Sequence, residues 1–340
     1  MKTKHVTFIL FIGFFYFAEC ERNYSPLSVD YSKLSLIKDP AIANCIREKL
    51  SLPQDHLLTI PELESITELV CCKNNIYSLD GIEYCSNLER LVITKLKTND
   101  LSPLKSLEKV FQLTLKADNF NNLSPLVGLK RLTGISLTAK EPFDIAMLAR
   151  IKTLRGVCLS PAPKDISPLG TLDKLIQLEF TGGVLPNLSP LSDTYPLDVL
   201  ALFSIEIPDA RNLLNVKRRL IWLEIQRSKF IDLSIIHEFR FLYGLKLPGN
   251  GIQDISPLKN NRSINVINLS DNKIRDITPL ASVIALGIYF LDNNQINDIL
   301  PLMDVLDEND YLNVRNNPLN ERTINEYIPQ LIERGVKVDY

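Results

Sequence analysis

Along most of the chain, aliphatic and polar residues fall in one recurring order. A Leu-x-Leu pair comes first, then a polar residue three positions on, then a Leu/Ile-Ser-Pro-Leu mark. The mark stands at Leu101, Leu123, Ile166, Leu188 and Ile255, and in altered form at Ile277 and Ile299. Leu101 to Leu123, Ile166 to Leu188, Ile255 to Ile277 and Ile277 to Ile299 are each separated by 22 residues. Weaker copies fill the gaps at Ile145, Ala210 and Leu233, and Leu79-Asp-Gly-Ile82 lies one period before Leu101. Two units are off length: Ile145 to Ile166 is 21, and a residue is inserted near Arg219.

In Leu-x-Leu, alternate side chains of a short strand point the same way, into a core. The pattern predicts inward positions at Leu113, Leu115, Leu178, Phe180, Leu223, Ile225, Leu245, Leu247, Ile267 and Leu269. The polar residue follows where the chain turns, and a side-chain amide there can bond backbone groups that the turn leaves unpaired. Asn250, Asn272, Asn294 and Asn317 read as a stacked ladder of this kind, with Asn74 beginning one at the other end. Between them the position holds Leu96, Asp118, Lys140, Ala162, Gly183, Ile205 and Ser228, so the ladder is irregular in the middle. In the mark itself, Ser256 suits an N-cap and Pro257 the first helical position, which predicts a short helix or 3₁₀ turn. A fixed period within roughly 20 to 29 residues, filled by Leu-x-x-Leu-x-Leu-x-x-Asn, is the signature of leucine-rich repeats.

The expected architecture is an α/β solenoid: a right-handed superhelix of about eleven to twelve coils with one parallel sheet on its concave face. Each coil is covered only by its neighbours, so the ends need caps. Asp39-Pro40 followed by Ile42, Ile46 and Leu50 predicts an N-terminal capping helix. Thr323 and Glu326 form a candidate capping box for a C-terminal helix that Pro329 splits and Gly335 ends, with Val336 and Val338 in a last strand. The division is 1–20 export signal, 21–38 tether, 39–65 N-terminal cap, 66–318 repeats and 319–340 C-terminal cap.

The first residues differ in kind. Lys2, Lys4 and His5 precede the apolar run Val6 to Ala18. That run is shorter than the roughly 20 residues of a comfortable membrane span, so it reads as a secretory signal, with an N-terminal membrane anchor as the alternative. Cys20 follows immediately. Lipidation on Cys20 resembles a bacterial lipoprotein signal, although Glu19 stands where a small residue is expected; ordinary cleavage after Cys20 is the other reading.

Asp39-Pro40 with its helix, Leu79-Asp-Gly-Ile-Glu-Tyr84, the Ser-Pro-Leu coils, Asn317-Pro-Leu-Asn and Asn325-Glu-Tyr-Ile-Pro-Gln-Leu together resemble the internalin-like bacterial leucine-rich-repeat proteins. The resemblance covers nearly everything after the tether. It implies an arc-shaped, secreted or surface-attached, non-enzymatic module that binds another protein. A structural envelope protein without a specific ligand is the alternative. The chain has no LPxTG wall-sorting motif, which favours a lipid anchor or free release.

A net charge of -2 over 340 residues, with no basic stripe along the chain, argues against nucleic acid as a partner. Membrane contact is expected only through a lipid on Cys20. No metal or cofactor is expected, because His5, His56 and His237 have no cysteine or acid at ligand spacing. Cys45, Cys71, Cys72 and Cys85 crowd into the N-terminal region. Cys71 and Cys85, at inward repeat positions, read as small buried hydrophobes, and a disulfide from Cys45 to Cys71 or Cys72 is the alternative in an oxidising compartment. Cys158 falls on the concave face as an isolated free thiol.

Strand alternation also selects a candidate binding surface. The residue before the first inward leucine reads Arg90, Gln112, Gly134, Gly156 and Gln177, then turns apolar at Val199, Trp222, Gly244, Val266, Ile288 and Tyr311. Glu224, Lys246 and Phe290 lie in the adjacent column. The expected binding set is therefore Val199, Trp222, Glu224, Lys246, Val266, Ile288, Phe290 and Tyr311, since exposed apolar patches mark interaction sites and Trp and Tyr are typical anchors.

Overall fold

The structure, a computed structural model, describes residues 36–192, 197–230, 232–283 and 287–340. The export segment 1–20, Cys20 and residues 21–35 of the tether lie outside the described residues.

Thirteen strands form one parallel sheet in chain order. They are β1 (Glu68–Cys71), β2 (Arg90–Leu96), β3 (Gln112–Ala117), β4 (Gly134–Thr138), β5 (Gly156–Ser160), β6 (Gln177–Thr181) and β7 (Val199–Phe203). The sheet continues with β8 (Trp222–Gln226), β9 (Gly244–Lys246), β10 (Val266–Asn268), β11 (Ile288–Phe290), β12 (Tyr311–Asn313) and β13 (Lys337–Asp339). Short 3₁₀ turns, one per coil, lie between successive strands up to β12. This is the leucine-rich-repeat solenoid. All ten predicted inward residues are at most 1 % exposed, in one continuous core running the length of the stack.

The asparagine ladder holds in the C-terminal half. Asn272 Oδ1 accepts from the N–H groups of Asn250 and Ile252 at 3.1 and 3.0 Å, and its Nδ2 donates to the carbonyls of Leu247, Leu269 and Ser270. Asn250, Asn294 and Asn317 repeat the arrangement. Ser228 takes the position in the preceding coil, where its hydroxyl accepts from the Ile205 N–H at 3.2 Å. Asn74 does not belong to the ladder; it is exposed. There the next coil's backbone and side chains from outside the ladder position close the turn: Ile76 N–H donates to the Lys95 carbonyl at 2.9 Å, Lys97 N–H to that of Ile76 at 2.7 Å, and Lys95 Nζ to the Lys73 carbonyl at 2.8 Å. Strand length follows the same division. Strands β9 to β12 have 3 residues each, whereas β2 has 7 and β3 has 6. The short strands of the laddered coils end where an amide side chain captures the turn, while β1, with 4 residues and no ladder amide, shows that the amide is not the only thing that ends pairing.

The 3₁₀ turns start at the expected places, but serine is not the capping group. An Asp or Asn accepts from the N–H two residues on, at or next to the start of the turn: Asp254 from Ser256 at 2.8 Å, and likewise at Asp100, Asn122, Asp144, Asp165, Asn187, Asp209, Asp232, Asp276 and Asp298. A carboxylate or amide reaches its own backbone two residues on more readily than a serine hydroxyl does.

The N-terminal cap is helix α1 (Pro40–Leu50) with Asp39 as N-cap, followed by α2 (Ile60–Glu64). Asp39 also ties the cap to the first coil, because its second carboxylate oxygen accepts from the Tyr77 N–H at 2.6 Å. At the other end Thr323 does not form the expected capping box. Its side chain is fully buried against the last coil, and Asn320 Oδ1 accepts from the Thr323 N–H at 2.7 Å instead. Glu326 pairs with Arg322. A wide π turn at Thr323–Tyr327 gives way at Pro329 to α3 (Ile328–Glu333), then Gly335 at φ +88° leads into β13. The five described cysteines are free thiols, so no disulfide joins Cys45 to Cys71 or Cys72. The Cys71 thiol is hydrogen-bonded to Cys45, which together with burial holds its pKa well above the usual thiol range.

Candidate functional site

The parallel register stacks equivalent positions of successive coils into straight columns on the open face of the sheet. One column runs Gln177, Val199, Trp222, Gly244, Val266, Ile288, Tyr311, Lys337, each paired with the next. From Val199 to Tyr311 it spans five strand steps, about 24 Å. The adjacent column runs Cys158, Glu179, Ala201, Glu224, Lys246, Asn268, Phe290, Asn313. All eight sequence-selected residues fall in these two neighbouring columns.

Trp222 lies flat across Gly244: a Cβ built there would sit 2.2 Å from the indole ring. Lys246 Nζ rests 5.0 Å from the ring centroid, a cation–π contact of about 0.5 to 1 kcal/mol. Only glycine lets the indole lie against the strand, so the missing side chain is what lays the anchor down. Farther along, Phe290 and Tyr311 pack at 5.3 Å between centroids, and the Tyr311 hydroxyl donates to Asp339 Oδ2 at 2.7 Å. Ile288, between Val266 and Tyr311 in the column, is 37 % exposed. Val199 departs from expectation. It is only 5 % exposed, set between the longer side chains of Gln177 and Trp222, and presents almost nothing to a partner.

Beside the apolar column lies a carboxylate pair. Glu179 and Glu224 flank Ala201, and Gln226 Nε2 donates to Glu224 Oε1. Burial pushes the Glu179 carboxyl up to about 7, with the Glu224 charge adding to the effect and a hydrogen bond from Cys158 opposing it. Cys158 keeps its expected outward place in this column but is covered by its neighbours, only 5 % exposed, and that burial raises its pKa. Neither a nucleophile with its base nor a carboxylate pair open to solvent is assembled here.

Sequence reasoning missed a second feature. At the C-terminal ends of β2, β3 and β4 a cavity of about 150 Å³ is lined by Lys95, Lys97, Lys116 and Lys140, with Asp118 the one acidic residue in its wall. Asp118 bridges Lys140 and Lys97 at 2.9 Å each, and those contacts hold its carboxyl below the usual carboxylate range. Asp118 and Lys140 occupy positions where the ladder has asparagine in the later coils. Among the described residues no group of His, Cys, Asp and Glu could hold a metal ion, and no helix is long and apolar enough to cross a membrane.

No protein-family model matches the chain, and no curated protein matches it. Solved structures do. An internalin of Listeria monocytogenes strain 4b F2365 is similar at 25 % identity over 90 % of this chain and 96 % of that one, with a TM-score of 0.59. A leucine-rich-repeat protein of Leptospira interrogans is similar at 17 % identity, over 82 % and 91 % of the two chains, with a TM-score of 0.48. Internalin C2 of the same Listeria strain is 24 % identical over 84 % and 95 %, with a TM-score of 0.32. The fold likeness is carried by the first of these.

Proposed function

We propose that this internalin-like leucine-rich-repeat protein is an exported, non-enzymatic module that recognises another protein through the open face of its sheet. The observation that carries the reading is the in-register apolar column from Trp222 to Tyr311. Solvent-facing positions of a sheet are ordinarily polar. Here Trp222, Val266, Ile288 and Tyr311 lie in line, with Phe290 and Lys246 beside them. An aromatic held flat on the strand loses little side-chain entropy when covered, which favours it as an anchor. The sheet offers area enough: thirteen strands at about 4.8 Å, with about five residues across at 3.3 Å each, give on the order of 900 Å², one side of a standard interface.

Export rests on Lys2, Lys4 and the Val6 to Ala18 run, and anchoring rests on Cys20. Labelled palmitate entering the wild-type protein but not Cys20→Ala supports the lipid; its absence from wild type removes that part alone. The binding face is tested by photo-crosslinking. A crosslinking residue at Ile288 is expected to capture the partner, and one at exposed Lys174, in the turn before β6, is not. Capture at Lys174 alone moves the site off the open face.

A further inference from the structure

The lysine-lined cavity gathers more positive charge than any composition-level reading of the chain suggests. Four lysines face one aspartate around about 150 Å³, a net charge of +3 on a chain whose total is -2. The side chains come from three successive coils and converge on the same edge of the sheet: Lys95 within β2, Lys97 just after it, Lys116 within β3 and Lys140 just after β4. The backbone beneath is already paired through Ile76, Lys95 and Lys97. Of the ammonium groups, Lys95 Nζ donates one hydrogen bond to the Lys73 carbonyl at 2.8 Å, and Lys97 and Lys140 each donate one to Asp118. Since an ammonium carries three donors, each has further donors to offer a ligand. Its volume is below the several hundred cubic ångströms of a small-molecule site but holds one or two anionic side chains. Lysine supplies mobile point charges and not the planar fork that fixes a phosphate or carboxylate in one geometry. The site therefore selects charge density more than ligand shape. Asp118 keeps Lys97 and Lys140 gathered, a role that an arriving carboxylate can share.

We infer that this cavity binds an acidic segment of the protein partner, its aspartate or glutamate side chains entering among Lys95, Lys97, Lys116 and Lys140. The inference rests on the protein-binding reading above and adds the partner's charge. Between β3 and β8 lie five strand steps, about 24 Å, so one standard interface covers both the lysines and Trp222. The partner then carries an acidic patch about that far from an apolar one.

The test uses the purified chain and a fluorescein-labelled oligo-glutamate peptide, with heparin and anionic phospholipid vesicles in parallel. Lys95→Glu/Lys116→Glu is compared with Lys130→Glu/Lys174→Glu, which makes the same change of charge at exposed turn positions outside the cavity. The expected result is peptide binding that weakens with salt, falls about tenfold or more in the cavity variant and stays within about twofold of wild type in the control. Circular dichroism and thermal unfolding establish that both variants fold. The inference is overturned if the peptide does not bind, if both variants lose binding equally, or if only heparin or only vesicles bind in a lysine-dependent way. Trp222→Ala is expected to leave oligo-glutamate binding unchanged, so failure at the cavity is separable from failure of the apolar face.

Discussion

At the residue scale the side chains that matter most to the fold are amides, and their worth depends on where they sit. Asn272 satisfies two buried N–H groups and bonds three carbonyls. Asn272→Ala orphans these groups at once, and about 3 kcal/mol of stability is expected to disappear in urea unfolding. Asn74→Ala, at an exposed site, is expected to change it by about 0.5 kcal/mol or less. Equal effects would mean that the ladder is not what holds the turns. Glu179 gives a pH signature of the opposite kind to most carboxylates. Its folded pKa is raised to about 7, so its contribution to stability is complete below the ordinary carboxylate range and is lost as pH rises through about 7. Stability measured from pH 5 to 8 should fall across that window, and Glu179→Gln should flatten the fall. The sequence displayed the amides, since they recur at a fixed offset. It did not separate Asn74 from Asn272, because the difference lies in whether the next coil's backbone closes the turn first. The raised Glu179 carboxyl was likewise unreadable, since it comes from neighbours one and two coils away.

Elements tell the same story at longer range. Alternation within each Leu-x-Leu placed every inward residue correctly because a strand has only two faces. The capping of the 3₁₀ turns was assigned to serine two residues too late, because the carboxylate of Asp254 and its counterparts reaches the turn only once the chain folds back on itself. Contact between β8 and β9 depends on Gly244. Gly244→Ala is expected to lift Trp222, the one tryptophan in the chain, away from the strand. Its emission should shift to the red, with a loss of about 1 kcal/mol; an unshifted spectrum would mean that the indole does not lie on that glycine.

For the molecule as a whole, repetition turns one coil's side chain into a column, and columns into surfaces that no single coil carries. The apolar column was visible in the sequence because its members share one register position. The lysine cavity was not, because Lys95, Lys97, Lys116 and Lys140 hold different positions in their coils and meet only where the long strands β2 and β3 carry them to one edge. Val199 shows the converse limit, an outward position closed over by its neighbours. The account's central claim is that the open face from Trp222 to Tyr311 is where a protein partner is held. The most direct test is the affinity of the captured partner for wild type, Trp222→Ala and Tyr311→Ala, with folding verified for each. A loss of about 2 kcal/mol or more for Trp222→Ala, expressed mainly as faster dissociation, is the predicted result. Unchanged affinity in both variants would contradict it.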